Sequence, residues 1–209
     1  MFDLQNPYLF FITTLLLNLT PGNDVLYVAS RSVSYGIKAG IISALGIFTG
    51  CFVHILSAVL GLSIILSKSA YLFQLIKYAG AAYLVYLGIR ALLSKRAAGP
   101  ENKKTENANY ARLYKQGMLT NILNPKVAIF FLSFLPQFIN PASSFFKVQL
   151  FTLGIWFNIQ GTIVLILIAC LLGKTKNFFS NNPKVWAIQE KVTGFILISL
   201  GIKIAFTKK

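Results

Sequence analysis

Residues 41–66 contain no Lys, Arg, Asp or Glu. As a helix this run is about 39 Å long at 1.5 Å per residue, against a bilayer hydrocarbon core of about 30 Å. A soluble helix of that length needs a polar face to meet water. This one offers only small residues, serines and one histidine among its apolar side chains. It is therefore expected to cross a membrane, tilted or with protruding ends.

Five further stretches read the same way, so six spans are expected: about 7–29, 38–66, 70–93, 117–138, 148–172 and 191–206. The charged share agrees, at 12% against about 25% for a soluble domain. The opening MFDLQNPYLF has neither a basic n-region nor a small-residue cleavage site. It is expected to belong to the first span rather than to a removable signal.

Two of the six spans are interrupted at matching places. The first breaks at Thr20-Pro21-Gly22-Asn23-Asp24, the fourth at Asn121-Ile122-Leu123-Asn124-Pro125-Lys126. Each opens the first of three spans in its half of the chain. Discontinuous helices in corresponding positions of two halves mark the binding site of many transporters. Three spans per half also means that the second half enters the membrane in the opposite sense. The expected fold is an all-α integral membrane protein: six transmembrane helices as two inverted three-helix repeats, 1–93 and 117–209, joined by a basic linker, 94–116.

A net charge of +15 would suggest nucleic acid in a soluble protein. Here the charges follow the membrane. Seven Lys and Arg lie from Arg90 to Lys115, four from Lys174 to Lys191, and Arg31 and Lys38 lie between the first two spans. These three loops share one side, which positive-inside logic makes cytoplasmic. The linker is then a solvated loop next to anionic lipid or an arm that binds lipid or a partner, and no nucleic-acid partner is expected.

Asp24 is the one acid that this topology places at depth. A charged Asp at a helix centre costs about 2.5–3.5 kcal/mol on insertion scales, so it must face water or a partner. It either binds substrate amine or a proton, or caps the half-helix that follows the break. Pro21 and Pro125 remove backbone donors, and the freed carbonyls must be satisfied by protein or cavity water. Asn18, Thr20, Gly22, Asn23, Asn121 and Asn124 cluster there. They either satisfy those carbonyls only or also bind a small zwitterion. Lys126 counters Asp24, contacts a carboxylate, or snorkels to an interface.

Span two carries a stripe at spacings of three and four: Gly36, Gly40, Ser43, Ile47, Gly50, His54, Ser57 and Gly61. Small residues on one face let helix backbones approach closely in lipid. His54, the sole histidine, is then a hydrogen-bonded structural residue or a proton relay. In span five Gly154, Asn158 and Gly161 form a similar face, with Asn158 lining a cavity or bonding across helices. With one histidine and one deep acid, no metal or cofactor site and no hydrolytic set is expected. Cys51 and Cys170 raise a thiol–disulfide carrier as an alternative. Their unequal depths argue against it, because a disulfide needs Cα atoms within about 7 Å.

The motifs resemble one family. Leu19-Thr20-Pro21-Gly22-Asn23-Asp24, followed by the glycine-rich stretch from Ser34 to Gly50, is similar to the amino-acid exporters typified by the lysine exporter LysE and the homoserine/threonine exporter RhtB. Lys77-Tyr78-Ala79-Gly80 through Leu87-Gly88 resembles that family's third span. Gly117-Met118-Leu119-Thr120-Asn121-Ile122-Leu123-Asn124-Pro125-Lys126-Val127-Ala128, through Phe134-Leu135-Pro136-Gln137-Phe138, resembles its fourth and is the most specific match. Val192-Thr193-Gly194 to Gly201-Ile202-Lys203 resembles its last. One departure is Asn23, where the family commonly has a second proline. The resemblance implies proton-driven export of an amino acid across a bacterial cytoplasmic (inner) membrane by a multi-pass antiporter, not an enzyme. The single deep acid tilts the expected substrate toward a neutral amino acid of homoserine or threonine type. An exporter of a cation or other small metabolite fits the same fold, and self-association into a homo-oligomer stays open.

Overall fold

The computed structural model describes residues 6–20, 22–62, 70–93, 108–140 and 143–174, with ten positions between 191 and 206. Pro21, the side chain of Lys77 and the part of the expected linker from 94 to 107 lie outside the described residues. Among the described residues the chain is all helical, with no strand.

Helix α1 (Pro7–Leu19) starts on a proline, which lacks an N–H that the first turn could not use anyway. It ends at Thr20, whose N–H returns to the Leu16 and Leu17 carbonyls. Helix α2 (Asn23–Tyr35) follows at 49° to α1. A single residue, Gly36, joins α2 to α3 (Ile37–Ser57). Its φ of 89° is one that glycine alone adopts without strain. Helix α3 runs on into a π-helical turn, Ala58–Leu62, and α4 covers Ala70–Leu93.

Helix α5 (Tyr110–Ile122) begins where Asn109 caps it, the Asn109 side chain accepting from the Arg112 N–H at 3.0 Å. The fourth span was expected from 117, so residues 110–116 of the expected linker are helix instead. Leu113 is buried within that turn while Lys115 faces out, the two-faced pattern of a helix end at an interface. After the second break come α6 (Pro125–Ile129), a π turn (Phe130–Phe134) and a 3-10 turn (Leu135–Phe138). The two halves of this span meet at 44°. Helix α7 (Phe146–Lys174) is the longest. The ten described positions between 191 and 206 are helical, and Gly194 and Gly201 sit against the backbone of Gly88 and Ala81 of α4.

Among the described residues two helices, Ile37–Gly61 and Phe146–Lys174, are long and apolar enough to cross a bilayer, and the two bent pairs bring this to four if each is one span. The surface is that of a membrane protein. Along α7, Ile159, Ile163, Leu167 and Leu171 point outward at intervals of four, while Gln149, Asn158 and Gln160 are buried. A helix in water would show the reverse.

The core has two parts. A phenylalanine cluster, Phe10, Phe130, Phe131, Phe134, Phe138 and Phe157, binds α1, the irregular turns and α7 together. A smaller cluster of Val25, Val28, Ala44, Ile47, Leu165 and Ala169 joins α2, α3 and α7. Helices α3 and α5 pack closely and run in the same direction. The Cβ that Gly46 lacks would lie 2.2 Å from the Tyr114 carbonyl oxygen, and that of Gly50 2.5 Å from the Met118 oxygen. Thr49 bonds to the Tyr114 hydroxyl at 2.6 Å, and one turn further on His54 reaches Asn121. The expected stripe of small residues thus holds from Gly40 to His54. It fails at its ends: Gly36 is the connecting residue, Ser57 is exposed, and a side chain at Gly61 would meet open space.

Candidate functional site

Both breaks leave helix ends with unpaired backbone groups, and side chains bond across from each break to the other. Helix α1 ends with its carbonyls facing the second break. There Lys126 donates through Nζ to the Leu17 and Thr20 oxygens, both at 2.8 Å. A cation at a helix C-terminus also meets the negative end of the helix dipole. Lys126 is held for this by its place in α6. Pro125 occupies the first helical position, and Asn124 caps the helix by accepting from the Lys126 N–H at 3.1 Å. Lys126 therefore does not snorkel to an interface. It bridges the breaks, its stem passing Gly22, where an added Cβ would be 3.5 Å from Nζ.

The reciprocal contact comes from Asp24. Its Oδ2 accepts from Asn121 Nδ2 at 2.8 Å, so a carboxylate from the first break meets an amide from the second. The N-cap of α2 is Gly22, with no side-chain bond. The expected capping role for Asp24 is accordingly not seen, although the carboxylate in the first helical turn still favours the dipole. Asp24 Oδ1 and Asn121 Oδ1 are buried without a hydrogen-bond partner. Behind them His54 donates from Nε2 to the Asn121 backbone oxygen at 2.8 Å, its ring stacked on Phe131. The acceptor is a carbonyl, so Nε2 carries the proton.

Asp24 and Asn121 border a cavity of about 40 Å³, enough for a few water molecules. Of the residues singled out by sequence, Gly22, Asp24, Asn121, Asn124, Lys126 and Asn158 line it. Asn158 also donates to the Phe48 oxygen at 3.0 Å, so it both faces the cavity and bonds across helices. Thr20 is buried elsewhere, its hydroxyl turned back to the Leu16 carbonyl. Asn23 is exposed. Pro125 shapes the break, and Pro21 lies outside the described residues.

Asn18, which the sequence also places at the breaks, lines the cavity as well. Asn18 donates to the Phe157 oxygen and to Gln160 Oε1, both at 3.3 Å. Gly161 gives Asn18 room, since a Cβ there would be 2.9 Å from its Oδ1. Thr162, Ile47, Val25, Phe157 and Cys51 complete much of the wall. Ile47 and Cys51 are four apart on α3, a face that a helical wheel exposes once the glycines beside it are assigned to packing. Cys51 and Cys170 are both free thiols. Among the described residues no cluster of His, Cys, Asp or Glu could hold a metal ion.

The geometry is that of a polar chamber at the crossing of two discontinuous helices. Comparison with known proteins gives the family. Residues 15–208 match the model of the LysE type translocator family. The chain is 35% identical over 193 residues to the uncharacterized membrane protein YrhP of Bacillus subtilis, covering 88% of this chain and 91% of that one. It is 30% identical over 200 residues to the homoserine/homoserine lactone efflux protein of Salmonella typhimurium, covering 95% of each, and equally so to that of Salmonella typhi. No solved structure matches. The chain belongs to the LysE type translocators, a family of multi-pass membrane transporters rather than enzymes.

Proposed function

We propose that the protein exports a neutral amino acid of homoserine size, or a close derivative, across a bacterial inner membrane in exchange for protons. The observation that carries this reading is the chamber itself, where Asp24, the one acid among the described residues, has an oxygen without a hydrogen-bond partner between the two breaks. A proton and a substrate ammonium both neutralise that carboxylate, so they compete for it. Competition at one site is what couples opposed flows. The Salmonella relatives support the substrate size.

An inverted repeat supplies the two access states. Three features support it. The breaks at Pro21 and Pro125 match in position. The pairing of α1 and α2 with α7 mirrors that of α5 with α3. Leu87-Gly88-Ile89-Arg90 recurs as Leu200-Gly201-Ile202-Lys203, at equivalent points of the third and last spans. Rocking of one repeat against the other would then expose the chamber to each side in turn.

Purified protein in proteoliposomes, tested for counterflow of radiolabelled amino acids one at a time, checks the reading. Counterflow of a neutral amino acid, with net export that fails when the pH gradient is collapsed, is expected. Counterflow confined to inorganic or organic cations lacking a carboxylate would favour the other reading of the fold, a cation exporter.

A further inference from the structure

The hydrogen-bonding capacity of the chamber is unbalanced. Most of its donors are engaged, and the Asn124 amide, which also lines it, lies toward the Asp24 carboxylate. Asn121 Nδ2 is bound to Asp24, Asn18 Nδ2 to Phe157 and Gln160, Asn158 Nδ2 to Phe48, and Lys126 Nζ spends two of its three N–H groups on the end of α1. Its acceptors are not. Asp24 Oδ1 and Asn121 Oδ1 are both buried and unmet, and they belong to the two side chains that are bonded to each other. Nδ2 of Asn121 must be the atom facing the carboxylate, because a carboxylate accepts, so the amide oxygen is left for the chamber. Asn121 is itself only 2% exposed. A buried acceptor without a donor is costly, and two on a bonded pair of side chains call for a ligand with several N–H groups.

We propose that this pair is an ammonium subsite and that the substrate is held by its ammonium end alone. This rests on the amino-acid reading above and adds to it. A primary ammonium has three donors; one can go to Asp24 Oδ1 and one to Asn121 Oδ1, leaving a third for water. A carboxylate would find only the third N–H of Lys126, with Asp24 close by. The cation nearest the chamber is committed to backbone oxygens, and Asp24 repels an anion. Molecules that keep the amine and lose the carboxylate therefore bind, and molecules that keep the carboxylate and lose the amine do not. The subsite also draws on both halves of the chain, so substrate bridges the same two breaks that Lys126 bridges.

The test takes the amino acid with the strongest counterflow in proteoliposomes and competes it with its methyl ester and with its N-acetyl derivative. The expected result is inhibition by the ester at concentrations similar to the amino acid itself, with the N-acetyl compound weaker by about tenfold or more, equivalent to ~1.4 kcal/mol. In Asp24→Asn, thermal stabilisation of the purified protein by the ester should be lost. Equal competition by both derivatives, competition by the N-acetyl compound alone, or failure of both would each overturn the subsite while leaving amino-acid export standing. Absence of counterflow by any amino acid would overturn the export reading itself, and the subsite with it.

Discussion

Asp24 and Asn121 show how much rests on two side chains. Asp24→Asn keeps size and can still accept from Asn121 through its amide oxygen, so the protein should insert and fold. The charge at depth is gone, which lowers the insertion cost. Export should nevertheless fall by about tenfold or more, or become insensitive to the pH gradient, because neither ammonium nor proton has a carboxylate to neutralise. Counterflow and gradient-driven efflux measured on the same preparation check this, and gradient-coupled transport at the wild-type rate would exclude Asp24 from the site. Asp24 was legible because it is the one acid that the topology puts inside a span. Whether an amide or hydroxyl beside a break faces the cavity was not. Thr20 and Asn124 lie at equivalent places, yet one rotamer turns Thr20 back to its own helix and sets Asn124 on the next. Such i−4 back-bonding is open to any helical Ser or Thr, and residue spacing does not distinguish it.

At the scale of the element, glycines and Lys126 decide what fits. Gly46→Ala puts a Cβ against the Tyr114 backbone oxygen. Backbone cannot swing aside as a side chain does, so α3 and α5 must separate, at a cost of about 1–3 kcal/mol. Gly61→Ala meets nothing within 4 Å and should leave thermal stability in detergent unchanged. Equal stability of the two variants would mean that α3 and α5 are not in contact. The stripe on span two was readable, but Gly46 was passed over for Ile47. Both positions follow Ser43 at helical spacing; 46 faces α5, while 47 faces α2 and the chamber. A periodic pattern gives a face about two residues wide and does not say which edge meets which neighbour. Lys126→Met should strip the end of α1 of its donor. Two buried carbonyls lose a charged partner, which predicts a loss of about 1–3 kcal/mol seen as a lower unfolding temperature. Unchanged stability would show that water can serve those carbonyls instead.

For the whole molecule, the run of uncharged residues and the paired breaks made helices, membrane residence and the crossing of two interrupted spans legible. Lost to the sequence was the cross-bracing, in which side chains at each break bond to the other, since that depends on which helices lie side by side. Orientation remains a prediction. After replacement of Cys51 and Cys170, a single cysteine at Ser94 or Ala111 should react with an impermeant maleimide only in permeabilised cells, and one at Asn6 should react in intact cells. Labelling at Ser94 from outside would invert the topology. The anchoring of Lys126 on α1 also has an electrical consequence. With Lys126 protonated and Asp24 ionised the empty chamber carries no net charge. It still carries none with a zwitterion bound, but +1 when a proton replaces it. A charge crossing the bilayer feels about 2.3 kcal/mol per 100 mV. Membrane voltage should therefore act on the proton-loaded return and not on the substrate-loaded passage. Counterflow, which uses only the loaded passage, should ignore an imposed potassium diffusion potential, while net export responds to it. Lys126→Met shifts every state by one negative charge, and counterflow in that variant should become voltage-sensitive.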